Sequence, residues 1–149
     1  MAEAVLKEKL DKRNVSGIDV SSCGLEANLW SSAEPRLRSV IGAAYHHLEN
    51  FRSRRISEDL VQNADLVLAM EERQVHEILS RFPTIRGKVM KLGQYARDGG
   101  DIVDFVDGYR GSFIDWLNYC HSMIDSCVDR LVDEFPKIRP STRVIRKAS

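Results

Sequence analysis

Apolar residues recur along this chain with two periods, and the switches between them mark out its elements. Met1, Val5, Leu6 and Leu10 stand at helical steps in a stretch rich in Ala, Glu, Leu and Lys, which predicts a helix over residues 1 to about 13. Its first residues supply no capping side chain. The run 17–24 alternates Ile18, Val20 and Ser22 on one side and ends in Gly24, the pattern of a short strand entering a loop. From Pro35 onward, Leu37, Val40, Ile41, Ala44 and Leu48 return to three- and four-residue steps and predict a second helix. Ser57 ahead of Glu58 and Asp59 caps a short helix to about Asn63.

The consecutive apolar run 64–70 is too short for an independent helix and reads as a strand buried on both faces, as in a parallel sheet covered by helices. Val75, Ile78, Leu79 and Phe82 line one face of a helix over 71–82 that Pro83 stops, and 88–93 is the next strand. The clearest helix runs from about Ser112 to Glu134, where Phe113, Trp116, Leu117, Cys120, Met123, Ile124, Cys127 and Leu131 form one stripe and Pro136 is expected to end it.

Strands alternating with helices imply an α/β fold, a three-layer wound parallel sheet with right-handed crossovers. Three strands are few for such a sheet, and the first helix wants a strand feeding it, so the first strand is expected to be missing. One domain over 1–135 is expected, followed by a disordered basic tail over 136–149 carrying Lys137, Arg139, Arg143, Arg146 and Lys147.

Composition narrows the function. Lys plus Arg and Asp plus Glu are 22 each, so no global field draws the protein to nucleic acid or to an anionic membrane. There is neither a leader pattern nor an apolar run of spanning length. Three cysteines, Cys23, Cys120 and Cys127, with no CxxC spacing, argue against a disulfide framework and for the cytoplasm. His46 and His47 are adjacent, which on a helix points them about 100° apart and argues against a shared metal; His76 and His121 stand alone. No metal or cofactor is expected.

Five stretches, in order, resemble the low-molecular-weight protein tyrosine phosphatase family. Met1-Ala2-Glu3-Ala4-Val5-Leu6 is similar to the helix that follows the family's Cys-x5-Arg-Ser-Pro loop, and Val20-Ser21-Ser22-Cys23-Gly24 to its Ser-Ser-Ala-Gly strand end. The segment from Phe51 to Leu60 resembles the family's His-Arg-Ser-Arg segment, and Ala64 to Glu71 its Ala-Asp-Leu-Ile-Leu-Val-Met-Glu strand. Asp107-Gly108-Tyr109 resembles the Asp-Pro-Tyr loop that bears the general acid.

The resemblance implies a hydrolase of phosphotyrosine proteins or small aryl phosphates. In that chemistry a Cys thiolate attacks phosphorus, loop amides and an Arg bind the phosphoryl oxygens, and an Asp protonates the leaving phenolate. Asp107 takes the proton-donor role, with Asp104 three residues upstream as its rival; Gly108 in place of proline loosens the loop. Tyr109 flanks the pocket, and Trp30 belongs to the wall opposite. The nucleophile is absent: Cys23 is followed six residues on by Leu29, Cys120 by Ser126 and Cys127 by Asp133, never by Arg. Cys23 itself reads as a buried structural thiol, and Arg52, Arg54 and Arg55 as a charged surface turn.

Met1 falls where the family has Met directly after Ser-Pro, so the expectation is an internal methionine with the strand and phosphate loop encoded upstream. Without them, exposed strand edges are expected to make the chain unstable and inactive as a fragment. A non-catalytic pseudophosphatase or interaction module is the alternative. An arsenate reductase of the same fold ranks last, because it needs redox cysteines in a region, 71–95, that has none.

Overall fold

The computed structural model describes residues 1–96, 99–102 and 111–138, the last three as helical backbone only. Helix α1 (Ala2–Lys12) is followed by a long irregular stretch, α2 (Leu37–Ile41) and a 3-10 segment (Gly42–Leu48). Next come α3 (Glu58–Asn63), strand β1 (Val67–Ala69), α4 (Glu72–Arg81), strand β2 (Val89–Lys91) and α5 (Phe113–Ile138), with short 3-10 turns at Pro83–Lys88 and Leu92–Tyr95. The two strands pair in parallel, Val67 opposite Val89 and Ala69 opposite Lys91, so α4 is the crossover between them.

Strand β1 is a wall shared by two apolar clusters. Leu66, Leu68 and Met70 face the main core, while Val67 and Ala69 face a smaller one built on Val61, Ile78 and Ile85. Alternate residues thus meet helices on opposite sides, as the consecutive apolar run predicts. The main core lies between α1 and α5: Ala4, Val5, Leu6 and Leu10 meet Leu117, Ile124, Cys127, Val128 and Leu131, with Leu37, Ile41 and Leu48 closing one side. Polar atoms rim the α1–α5 seam. The Lys9 ammonium lies 2.8 Å from both Asp125 and Asp129, and Arg13 reaches Asp129 at 2.9 Å and Asp133 at 2.5 Å.

Three expectations change. The run 17–24 forms no strand; only Gly24 makes a parallel bridge, to Arg55. Among the described residues no strand lies alongside it, and alternation without a neighbour to exchange hydrogen bonds leaves an extended loop. The second helix breaks at Gly42, which takes φ +53°, a conformation that favours glycine, and continues as 3-10. Helix α5 passes through Pro136 to Ile138. Proline's φ suits a helix, and in the last turn its missing N–H forgoes a single bond. Met1 caps α1 with no side-chain bond, as expected, and Ser57 accepts from the Leu60 N–H at 3.4 Å to start α3. From residue 139 on, the expected tail lies outside the described residues.

Candidate functional site

Two segments singled out by the sequence are laid side by side. The Gly24 N–H donates to the Arg54 carbonyl at 3.0 Å, and its own carbonyl accepts from the Ile56 N–H at 3.0 Å. Arg54 Nε donates to the Ser22 carbonyl and Arg55 Nε to the Ala27 carbonyl, both at 3.1 Å. These two arginines brace the loop 22–27 as well as facing solvent.

Ser53 holds the next wall. Its N–H donates to the Ser31 carbonyl at 2.8 Å, its hydroxyl accepts from the Ser31 N–H at 2.9 Å and donates to the Asn28 carbonyl, and its carbonyl accepts from the Trp30 N–H at 2.9 Å. Inside this clamp Trp30 adopts φ +65° and is 78% exposed. A left-handed Trp costs on the order of 1–3 kcal/mol, which persists only where neighbours over-determine it. The clamp projects a large aromatic away from the core.

The first turn of α1 meets the same loop. Glu3 accepts from the Ser22 hydroxyl at 2.6 Å and from the Lys7 ammonium at 2.6 Å. Burial pushes the Glu3 carboxyl up, but the bonds from Lys7 and Ser22 outweigh it and hold the pKa below the usual range. The leading amides of α1 have no intrahelical acceptors.

The segment bearing Asp104, Asp107 and Tyr109 lies outside the described residues, but both of its ends are fastened. The Ile102 N–H donates to the Met70 carbonyl at 2.9 Å, just past β1. Asp101 takes the Lys91 ammonium at 2.8 Å and the Glu72 N–H at 3.1 Å; the Lys91 bond, against some desolvation, lowers its pKa. A Cβ on Gly93 would come within 1.9 Å of the Gly100 carbonyl oxygen, so only glycine lets this backbone pass. At the other end Ser112 and Asp115 bond reciprocally and cap α5, at 2.9 Å and 3.2 Å. Ile102 therefore lies beside the carboxyl end of a parallel strand, the end at which wound sheets bind ligands.

The sequence profile described as low molecular weight phosphotyrosine protein phosphatase matches residues 1–140. The chain belongs to that family. It is 39% identical over 105 residues to the low molecular weight protein-tyrosine-phosphatase Wzb of Salmonella typhimurium, covering 70% of this chain and 68% of that one. It is also 28% identical over 138 residues to PtpA of Staphylococcus haemolyticus, covering 89% and 82%. Among solved structures, the YwlE arginine phosphatase of Geobacillus stearothermophilus superposes with a TM-score of 0.71 at 26% identity, over 91% of this chain and 83% of that one. The wound parallel α/β fold is thus that of the low molecular weight phosphatases.

No thiol here is set up as the family's nucleophile. Cys120 and Cys127 are buried in α5. Cys23 is exposed, against the expectation of a buried thiol, and among the described residues no strand lies alongside its segment. Enough protein still surrounds its sulfur for desolvation to raise the pKa, with the Arg54 charge pulling the other way, so it is a protonated thiol at neutral pH.

Sequence reasoning overlooked Glu3, Ser53, Gly93 and Asp101, which do not react but place the walls. A glycine closing the predicted strand 88–93 was a readable signal for Gly93; nothing local marked Asp101. The two adjacent histidines also differ from expectation. Their ring centroids are 3.7 Å apart and both approach Glu8, because rotation about χ1 and χ2 moves ring nitrogens well off the Cβ directions. Among the described residues no helix is long and apolar enough to cross a membrane.

Proposed function

We propose that this scaffold serves the hydrolysis of phosphotyrosine in cytoplasmic proteins through a cysteinyl-phosphate, and that residues 1–149 by themselves turn over no phosphate ester. In the first step a thiolate forms the S–P bond as the P–O bond breaks, and Asp107 gives its proton to the departing phenolate. Water then cleaves the S–P bond, with the same carboxylate taking the water's proton. Tyr109 and Trp30 flank the substrate ring. Family membership supports the reaction class, and the anchors at Ile102 and Ser112 support a loop acid at the strand's carboxyl end.

The observation that carries the second half is the cysteine inventory: two thiols are sealed in α5, the third is protonated, and none has Arg six residues on. The purified chain is expected to release no more phosphate from p-nitrophenyl phosphate or a phosphotyrosine peptide than buffer does. Steady catalytic release would overturn the proposal. With a strand and a Cys-x5-Arg-Ser-Pro loop placed ahead of Met1, hydrolysis is expected to appear with a bell-shaped pH profile. In that chain Asp107→Asn lowers kcat by roughly 10²–10⁴-fold while Asp104→Asn changes it little. Equal effects would remove Asp107 from the role.

The arginine phosphatase neighbour favours a second reading, in which the phosphoryl group is carried by arginine. A phosphoarginine peptide beside the phosphotyrosine one in the same assay separates the two by their ratio of kcat/KM. Folded chain that binds phosphotyrosine peptide without hydrolysis, even with the added loop, marks a non-catalytic interaction module.

A further inference from the structure

Away from the loops just described, α1 and the 3-10 segment Gly42–Leu48 bring three ligating groups together. One ligand atom from each of Glu8, His46 and His47 lies within 4.8 Å of the others. Glu8 Oε2 is 3.5 Å from His47 Nε2 and 3.9 Å from His46 Nδ1, and Asp11 Oδ2 on the next turn of α1 is 3.5 Å from the same His47 nitrogen. We propose that Glu8, His46 and His47, with Asp11 or a water as fourth ligand, form a binding site for a zinc-class divalent cation that staples α1 to this segment.

The spacing is the first argument. Charge-assisted hydrogen bonds between imidazole and carboxylate close to about 2.7–2.9 Å, well inside the separations found here. Ligands held at ~2.0–2.1 Å around a tetrahedral ion are instead about 3.4 Å from each other, close to the 3.5 Å that separates the Glu8 and Asp11 oxygens from His47, with His46 at 3.9 Å from Glu8 able to close in by a turn of its exposed ring.

The second argument is the state of His47. Among the described residues, its Nε2 is the one buried side-chain nitrogen or oxygen that lacks a hydrogen-bond partner, and it points at two carboxylates. A buried ring nitrogen with no hydrogen-bond partner is costly, and in the tautomer that leaves it a lone pair an electrophile can take it. Glu8 is already oriented for this: Lys12 holds its other oxygen, Oε1, at 3.1 Å and leaves Oε2 facing the two rings. His46 Nδ1 lies 2.8 Å from the Ala43 carbonyl. To ligate through that nitrogen, His46 gives up its bond to the Ala43 carbonyl, turns this ring edge toward Glu8 and moves its proton to Nε2, which the ring's 58% exposure lets water accept, so coordination adds or loses no proton there. Imidazoles with carboxylates suit zinc, and the same set takes Co²⁺.

The test is titration of the gel-filtered full chain with Co²⁺ at neutral pH in the cold, followed by competition with Zn²⁺. The expected result is one equivalent bound, with intense visible absorption of tetrahedral cobalt that Zn²⁺ bleaches, and a melting temperature raised by Zn²⁺ and lowered again by chelator. His47→Gln and the exposed His46→Ala should each weaken binding by at least about tenfold, the lower end of what even an outer-shell partner contributes. His76→Gln, His121→Gln and Cys23→Ser should leave it unchanged. Absence of saturable cobalt binding in chain with a helical circular dichroism spectrum, or full binding in His46→Ala, would overturn the site.

Discussion

Strand β1 and the run 17–24 are near equals as sequences and opposites as structures. Both carry short β-branched or aliphatic stretches with side chains for the main core; Val20 and Ile18 pack there as Leu66 and Leu68 do. Yet β1 is laddered to β2 and covered on both faces, whereas 17–24 makes one bridge at Gly24 and leaves Cys23 exposed. Hydrophobic pattern chooses which side chains turn inward, but a strand exists only where another backbone takes up its N–H and C=O groups.

The largest expected effect comes from supplying that backbone. A strand and phosphate loop placed ahead of Met1 should convert 17–24 from rapid to slow amide exchange and raise the melting temperature by several degrees, measured by hydrogen exchange and thermal denaturation. Unchanged exchange there would mean the run is irregular by its own preference. Next, Ile85→Ala, at a fully buried position under the ladder, should cost about 2–5 kcal/mol in chemical denaturation, whereas Val20→Ala in the unladdered run should cost less than half as much.

Gly93→Ala should cost roughly 1–3 kcal/mol, because the Gly100 backbone has to move away from the new methyl. It should also disturb Asp101 and the chain beyond it, visible as altered amide shifts at 99–102 and none in α1. Ser57→Ala, which removes the cap of α3, should cost about 1 kcal/mol.

The smallest effect is Glu3. Its folded carboxyl titrates below the usual range, so it binds fewer protons folded than unfolded near pH 4–5. Its contribution is present above that range and fades as pH falls through the folded pKa. Glu3→Gln should flatten the acid limb of stability against pH and leave the alkaline limb untouched.

Much of this was legible in the residues. The capped α3, the two-faced β1 and the α5 stripe each follow from a local period plus a boundary signal, and the five matching stretches pointed to the phosphatase family before any coordinates. What was not legible depended on distant chain. Cys23 could not be seen as exposed without knowing which backbone lies next to it. The convergence of His46 and His47 on Glu8 needs the packing of α1 against a segment over thirty residues away. Gly42 breaks a helix that periodicity alone would have continued. Asp101 matters only because Lys91 and the Glu72 amide meet it in space.

The pins at Ile102 and Ser112 act as two ends of a leash. Asp107 is midway along the sequence, five residues from either pin, whereas Asp104 is two residues from Ile102. On the proposed chemistry the two acids then differ in tether: Asp104 follows one fixed point closely along the chain, whereas Asp107 stands equally far from both.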